Sequence, residues 1–206
     1  MLRSVSIGGL LLLTAGSIAQ VPQQEKSKPK RNEELCKELL SMVKEDQNAR
    51  EDVFRERPNK AAALRKMEEI DRKNTTRMKE IIAKHGWPGR SLVGEEGGEA
   101  AWLLVQHADK DRAFQKRCLQ LLERAVPAKE ATKGELAYLT DRVRVGENKK
   151  QVYGTQFREV DGRFEPYPIE DEANVDKRRK EMGLGSLAQY RKKVEELYKK
   201  KPETKK

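Results

Sequence analysis

Residues 95–109 read EEGGEAAWLLVQHAD, and this stretch decides how the chain folds. Glu95 and Glu96 stand where the positive end of a helix favours them, and Ala100-Ala101-Trp102-Leu103-Leu104-Val105 is apolar nearly all round. A helix without a polar face has to be surrounded by other elements. The expected fold is therefore mainly α, six to seven helices with this one at the centre. Gly97 and Gly98 each cost roughly 1 kcal/mol of helix propensity against alanine. They imply close approach at that point, by a packed helix or by a ligand.

The flanking segments each carry one apolar stripe of helical period. Asn32 can cap a first helix bearing Leu35, Leu39, Met42 and Val43. Pro58-Asn59 breaks the chain before a second helix, Lys60 to Lys84, which Asn74-Thr75-Thr76 can interrupt and Gly86 closes. Asp109 or Asp111 caps a fourth, bearing Phe114, Cys118, Leu121 and Leu122, and Thr132 caps a fifth with Leu136, Leu139 and Val143 inward. The period then changes. Residues 151–157 and 163–169, separated by Asp161-Gly162, have the pattern of a β-hairpin, which must lie on the helices because two strands alone are marginal. Two basic helices, residues 174–182 and 186–200, follow, and residues 32–190 make one helical domain with this hairpin packed on it.

The first 19 residues have the pattern of a secretory signal peptide. A basic start at Arg3 precedes an apolar run from Val5 to Ala15, and small residues allow cleavage after Ala19. An uncleaved membrane anchor is the competing reading, disfavoured because the apolar run is short. Residues 20–31, rich in Pro, Gln and Lys, read as a flexible linker. The expected location is secreted or periplasmic, and the protein is not expected to be an integral membrane protein. The 206 residues carry a formal net charge of +10, and charged residues at 38% against aromatics at 5% imply a small core. Residues 191–206, with eight Lys/Arg against three Glu, form a basic tail suited to acidic surfaces. Nucleic acid is not the expected partner, because no aromatics interleave these charges to stack on bases. Cys36 and Cys118 both fall on apolar stripes, which leaves open either a bridge between two helices or two buried thiols.

Both histidines and both tryptophans lie between His85 and His107. His107, at a helix end with Asp109 two residues on, has the elements of a general base with an orienting carboxylate; equally, His107 can be a buried hydrogen-bonding residue and Asp109 a cap. Tyr138 shares a helix face with Asp141 or Arg142, and Tyr153-Gly154-Thr155-Gln156 offers polar groups around a glycine. No nucleophile elbow, phosphate loop, metal-ligand ladder or cofactor motif is present, and two cysteines are too few for a cysteine zinc site.

The runs GWPGRSLVGEEGGEAAWLLVQHADKDRAFQ, AYLTDRV, VYGTQ and VDKRRKEMGL together resemble a bacterial family of unknown function marked by Gly-Trp-Pro, Gln-His-Ala-Asp, Leu-Thr-Asp-Arg and Tyr-Gly-Thr-Gln elements. The resemblance covers Ile81 to Leu184 and brings no established activity. It implies that Trp87, Gln106, His107, Asp109, Asp141, Arg142, Tyr153 and Gln156 converge. Two functions follow. One is a pocket for a peptide or small polar ligand, contacted by Trp87, Gln106, Asp141, Arg142, Tyr153 and Gln156. The other is a secreted hydrolase or group-transfer enzyme with His107 as general base and Asp109 orienting it.

Overall fold

The computed structural model describes residues 31–55, 59–161 and 163–199. The expected signal peptide, the linker as far as Lys30, the break at Pro58, Gly162 of the hairpin turn and the end of the basic tail lie outside them. The described chain runs α1 (Glu33–Arg55), α2 (Lys60–His85), α3 (Arg90–Gln106), α4 (Arg112–Ala125), α5 (Lys133–Gly146), β1 (Phe157–Val160), β2 (Arg163–Pro166), a 3-10 turn (Glu172–Asn174), α6 (Val175–Glu181) and α7 (Leu187–Lys199). It is mainly α, with one hairpin.

Local chemistry explains most of the boundaries. The Leu35 N–H donates to Asn32 Oδ1 at 3.0 Å, which caps α1. Asp111, not Asp109, caps α4, its Oδ1 accepting from the Phe114 N–H at 3.0 Å. Thr132 and Glu135 form a reciprocal capping box on α5. Asn59 makes no side-chain cap, and α2 runs unbroken through Asn74-Thr75-Thr76. The Thr75 hydroxyl donates to the Asp71 carbonyl one turn back, at 2.7 Å, and so stays within the helix. The third helix starts earlier than its apolar run, at Arg90, because Gly94 (φ 78°) joins a short leading turn to the main segment.

Four helices, α1, α2, α4 and α5, pack on α3. Ala101, Leu104 and Val105 of α3 are buried with Leu39, Met78, Ile81, Phe114, Leu122 and Leu139 from those neighbours. A Cβ on Gly97 would lie 2.7 Å from Val93 Cβ and 3.2 Å from Cys36 Sγ, so helix packing occupies that space; on Gly98 it would meet nothing nearer than 3.8 Å. Cys36 and Cys118 are free, buried thiols, and burial pushes Cys118 up to about 12. A ladder of edge-to-face rings, Trp102–Tyr138–Tyr190–Phe157, with centroids 6.0, 5.8 and 5.6 Å apart, ties α3 through α5 to α7 and β1.

The hairpin is shorter than its sequence pattern. Its register pairs Val160 with Arg163 across the expected turn, but residues 151–156 form a loop. Gln151 makes a single parallel bridge to Ile169, and the backbone N–H groups of Val152, Tyr153 and Thr155 are taken up by a carboxylate of α5 instead of a strand partner, as described below. No helix among the described residues is long and apolar enough to cross a membrane.

The enclosure of α3 predicts a contrast. Leu104→Ala should cost about 2–5 kcal/mol of unfolding free energy by urea titration, whereas Leu197→Ala, at a position 60% exposed, should change it by no more than about 0.5 kcal/mol. Equal small losses at both positions would contradict a tightly enclosed central helix.

Candidate functional site

His107 is the C-cap of α3, where its backbone N–H still bonds the Leu103 carbonyl at 3.2 Å. Its Nδ1 lies 3.0 and 2.9 Å from the two carboxylate oxygens of Asp46 on α1. Asp46 is only 1% exposed. Arg50, one turn along α1, reaches Asp46 Oδ1 at 3.1 Å and Asp71 Oδ1 on α2 at 2.7 Å. The Arg50 Nε is also 3.1 Å from His107 Nδ1, so that nitrogen can donate to Asp46 or accept from Arg50. Asp46 also accepts from Gln47 Nε2 at 2.7 Å; a ring lone pair turned on its two oxygens would still repel them, which favours donation from Nδ1–H to the carboxylate.

Electrostatics fit this arrangement. Burial raises the Asp46 carboxyl, but the hydrogen bond and charge of His107 and the charge of Arg50 outweigh burial and hold it below its ordinary value. At Asp71 burial prevails over the attraction of Arg50, with Asp46 adding repulsion, and its carboxyl is raised. With Nδ1 engaged, His107 Nε2 has no hydrogen-bond partner among the described residues. The residue borders a cleft of about 270 Å³ between α2 and the α3–α4 turn, along with Thr75, Thr76, Lys79, Lys110 and Asp111.

Asp109, expected to orient His107, serves a different partner. Its Oδ1 accepts from Arg142 Nε at 2.9 Å, and its Oδ2 takes a second, short bond from Arg142 Nη2. Arg142 Nη1 donates to Gln156 Oε1 at 3.2 Å. The bend after His107 turns the two side chains apart, so Asp109 lines another cleft, of about 420 Å³, with Arg142, Gln156, Arg112 and Tyr167. The two clefts share no lining residue. Burial raises the Asp109 carboxyl, but the bonds and charge of Arg142 prevail and lower it.

The remaining expected contacts are structural. Asp141 is 0% exposed, and its oxygens accept from the backbone N–H groups of Val152, Tyr153 and Thr155 and from the Thr155 hydroxyl, at 2.7 to 3.2 Å. It anchors the 151–156 loop and offers no oxygen to a ligand. On the other side of that loop, Arg178 Nε donates to the Val152 carbonyl and Arg179 Nη1 to the Tyr153 carbonyl. Gly154 (φ +67°) completes the loop, and a Cβ there would lie 2.8 Å from Leu187 Cδ1. Tyr153 is half-buried, and burial, then Asp141, raises its phenol. Gln106 is a core residue: with its amide oxygen turned inward it accepts from Leu139 N–H at 2.9 Å and Trp102 Nε1 at 3.2 Å. Trp87 packs half-buried on the core, its Nε1 without a partner, and it borders neither cleft. Of the eight expected residues, Asp109, Arg142 and Gln156 meet in one cleft and His107 opens onto another; the other four border neither.

A family model matches residues 33–203. The chain belongs to DUF6624, a family of unknown function. The match begins at the first residue of α1, so the helices that supply Asp46, Arg50 and Asp71 lie inside the family domain, although the motif resemblance began only at Ile81. No curated protein and no solved structure matches the chain.

Asp46, Arg50 and Asp71 are the residues that motif reasoning missed. One signal was present: Asp46 continues the apolar stripe of Leu39, Met42 and Val43, where a carboxylate must find partners to be buried. Because the folded Asp46 pKa is depressed, its stabilisation is fully present above the ordinary carboxyl value, near about 4, and is lost as pH falls through the folded value. Asp46→Asn should therefore cost roughly 3 kcal/mol at pH 7, with the gap from wild type closing on acidification. A gap that is constant from pH 7 to pH 2 by urea denaturation would rule out an ionised Asp46 carboxylate held by these partners.

Proposed function

We propose that this is an exported acid–base catalyst, a hydrolase or group-transfer enzyme in which His107 Nε2 takes a proton from the attacking group and Asp46 holds the imidazole. The observation that carries this reading is the division of the ring. Nδ1 is bound by a carboxylate that water does not reach, and Nε2 is bare beside a cleft. A base held in one tautomer by a buried carboxylate is the arrangement general-base catalysis requires. Asp46 thus takes the orienting role first expected of Asp109. Export rests on the N-terminal pattern of Arg3, the apolar run and Ala19. Outside the cell the basic tail gives affinity for acidic polymer or lipid surfaces.

A second reading is binding without turnover, in the cleft where Asp109, Arg142 and Gln156 meet. The fixed guanidinium of Arg142 favours it, because an arginine already held by Asp109 loses little freedom on meeting a polar ligand.

Two measurements test the catalyst. Long-range nitrogen NMR should find the His107 ring protonated at Nδ1 and bare at Nε2 in the neutral form; a proton on Nε2 with Nδ1 bare would contradict the assignment. In a panel of model esters, phosphoesters and amides, any substrate turned over should lose roughly a hundredfold or more of its rate in His107→Ala. Turnover that survives in His107→Ala, or ligands that bind but are never consumed, would leave the binding reading in its place.

A further inference from the structure

The cleft of Asp109, Arg142 and Gln156 is also lined by a cationic side chain that was not among the expected site residues. Arg112, the first residue of α4, borders the same space, and it has no carboxylate partner among the described residues. Its guanidinium abuts Gly146 at the end of α5 through its Nη1 edge: a Cβ on that glycine would collide with Arg112 Nη1 and lie 3.2 Å from Cζ. The chain therefore leaves out a side chain where the guanidinium rests.

The charges of the lining do not cancel. Arg142 and Asp109 neutralise one another, and the uncharged Gln115, Asn148, Gln156 and Tyr167 leave Arg112 as the uncompensated charge. Arg142 uses three of its five N–H hydrogens, on Asp109 and Gln156, and keeps two. Two guanidinium groups thus border one cleft of about 420 Å³, one fixed by a carboxylate and the other resting on bare backbone.

We propose that this cleft binds the oxyanion group, carboxylate or phosphate, of a small ligand through Arg112 and Arg142, and that Gly146 is the seat that lets Arg112 reach it. The inference rests on the second reading above, the ligand cleft, and gives it a chemical class. Planar forks of N–H donors match the oxygens of either anion, and a lysine at the same place does so less well.

The test is titration of the whole chain with inorganic phosphate, with succinate and with neutral succinamide, followed by amide chemical shifts in the cleft and by calorimetry. Saturable binding of phosphate or succinate, weakening as salt rises, is expected, and the stronger of the two identifies the anion. Arg112→Ala and Gly146→Ala should each weaken it at least tenfold, and Arg112→Lys less. The melting temperature of Arg112→Ala should stay that of wild type, since the side chain holds nothing else in place. Anion binding unchanged in Arg112→Ala would overturn the proposal. Binding of succinamide alone would overturn it and leave a neutral-ligand cleft standing; no shift at the cleft with any of the three would remove the cleft reading as well.

Discussion

Everything in the domain depends on the burial of the C-terminal half of α3, from Ala100 to Gln106; Glu95, Glu96 and Glu99 of its earlier turns face solvent. The apolar surface of that half has to be covered by neighbours, and α1, α2, α4 and α5 supply them. Enclosure fixes the rotation and height of the helix, and with them the point at which it ends. Gln106, its last residue, is bonded into the core, so His107 emerges at one defined place against α1. The candidate chemistry sits at the end of the most constrained element. Such a place suits groups that must be held within tenths of an ångström.

Buried charge is the second constraint. Asp46, Asp141 and Arg179 all lie within a few per cent of complete burial, where an unpaired ion would cost several kcal/mol. Each is resolved differently. Asp46 has a histidine and an arginine, Asp141 has a ring of backbone and hydroxyl donors, and Arg179 has the carbonyls of Tyr153 and Gly185 with the Tyr190 ring beneath it. The 151–156 loop lies between the last two, with the N–H groups of Val152, Tyr153 and Thr155 turned to the anion and the carbonyls of Val152 and Tyr153 to the cations of α6. That polarity makes the loop one unit with α5 and α6.

What was legible in the amino-acid order was local. The caps at Asn32 and Thr132 and the turn after Val160 follow from residues three or four places apart, and the apolar run of α3 announces its own burial. The candidate site was only partly legible. His107 could be picked out, but its partner lies 61 residues away on α1, and adjacency in sequence favoured Asp109, which the bend after α3 turns to Arg142. Tyr153-Gly154-Thr155-Gln156 has strand-like composition, and the outcome was decided by Asp141, a residue whose burial no pattern around it reveals. Tertiary partners of charged groups were the information that periodicity does not carry.

The two cysteines have a consequence for how the core is joined. Cys118 is wholly enclosed, and a thiol raised to about 12 is protonated at any physiological pH. It is a poor nucleophile for exchange, because the thiolate is the species that attacks a disulfide. In this structure the core is closed by packing, with both thiols free inside it. The two sulfurs sit in the core as small apolar groups, and the contacts around them, not a covalent bond between them, join the helices they belong to.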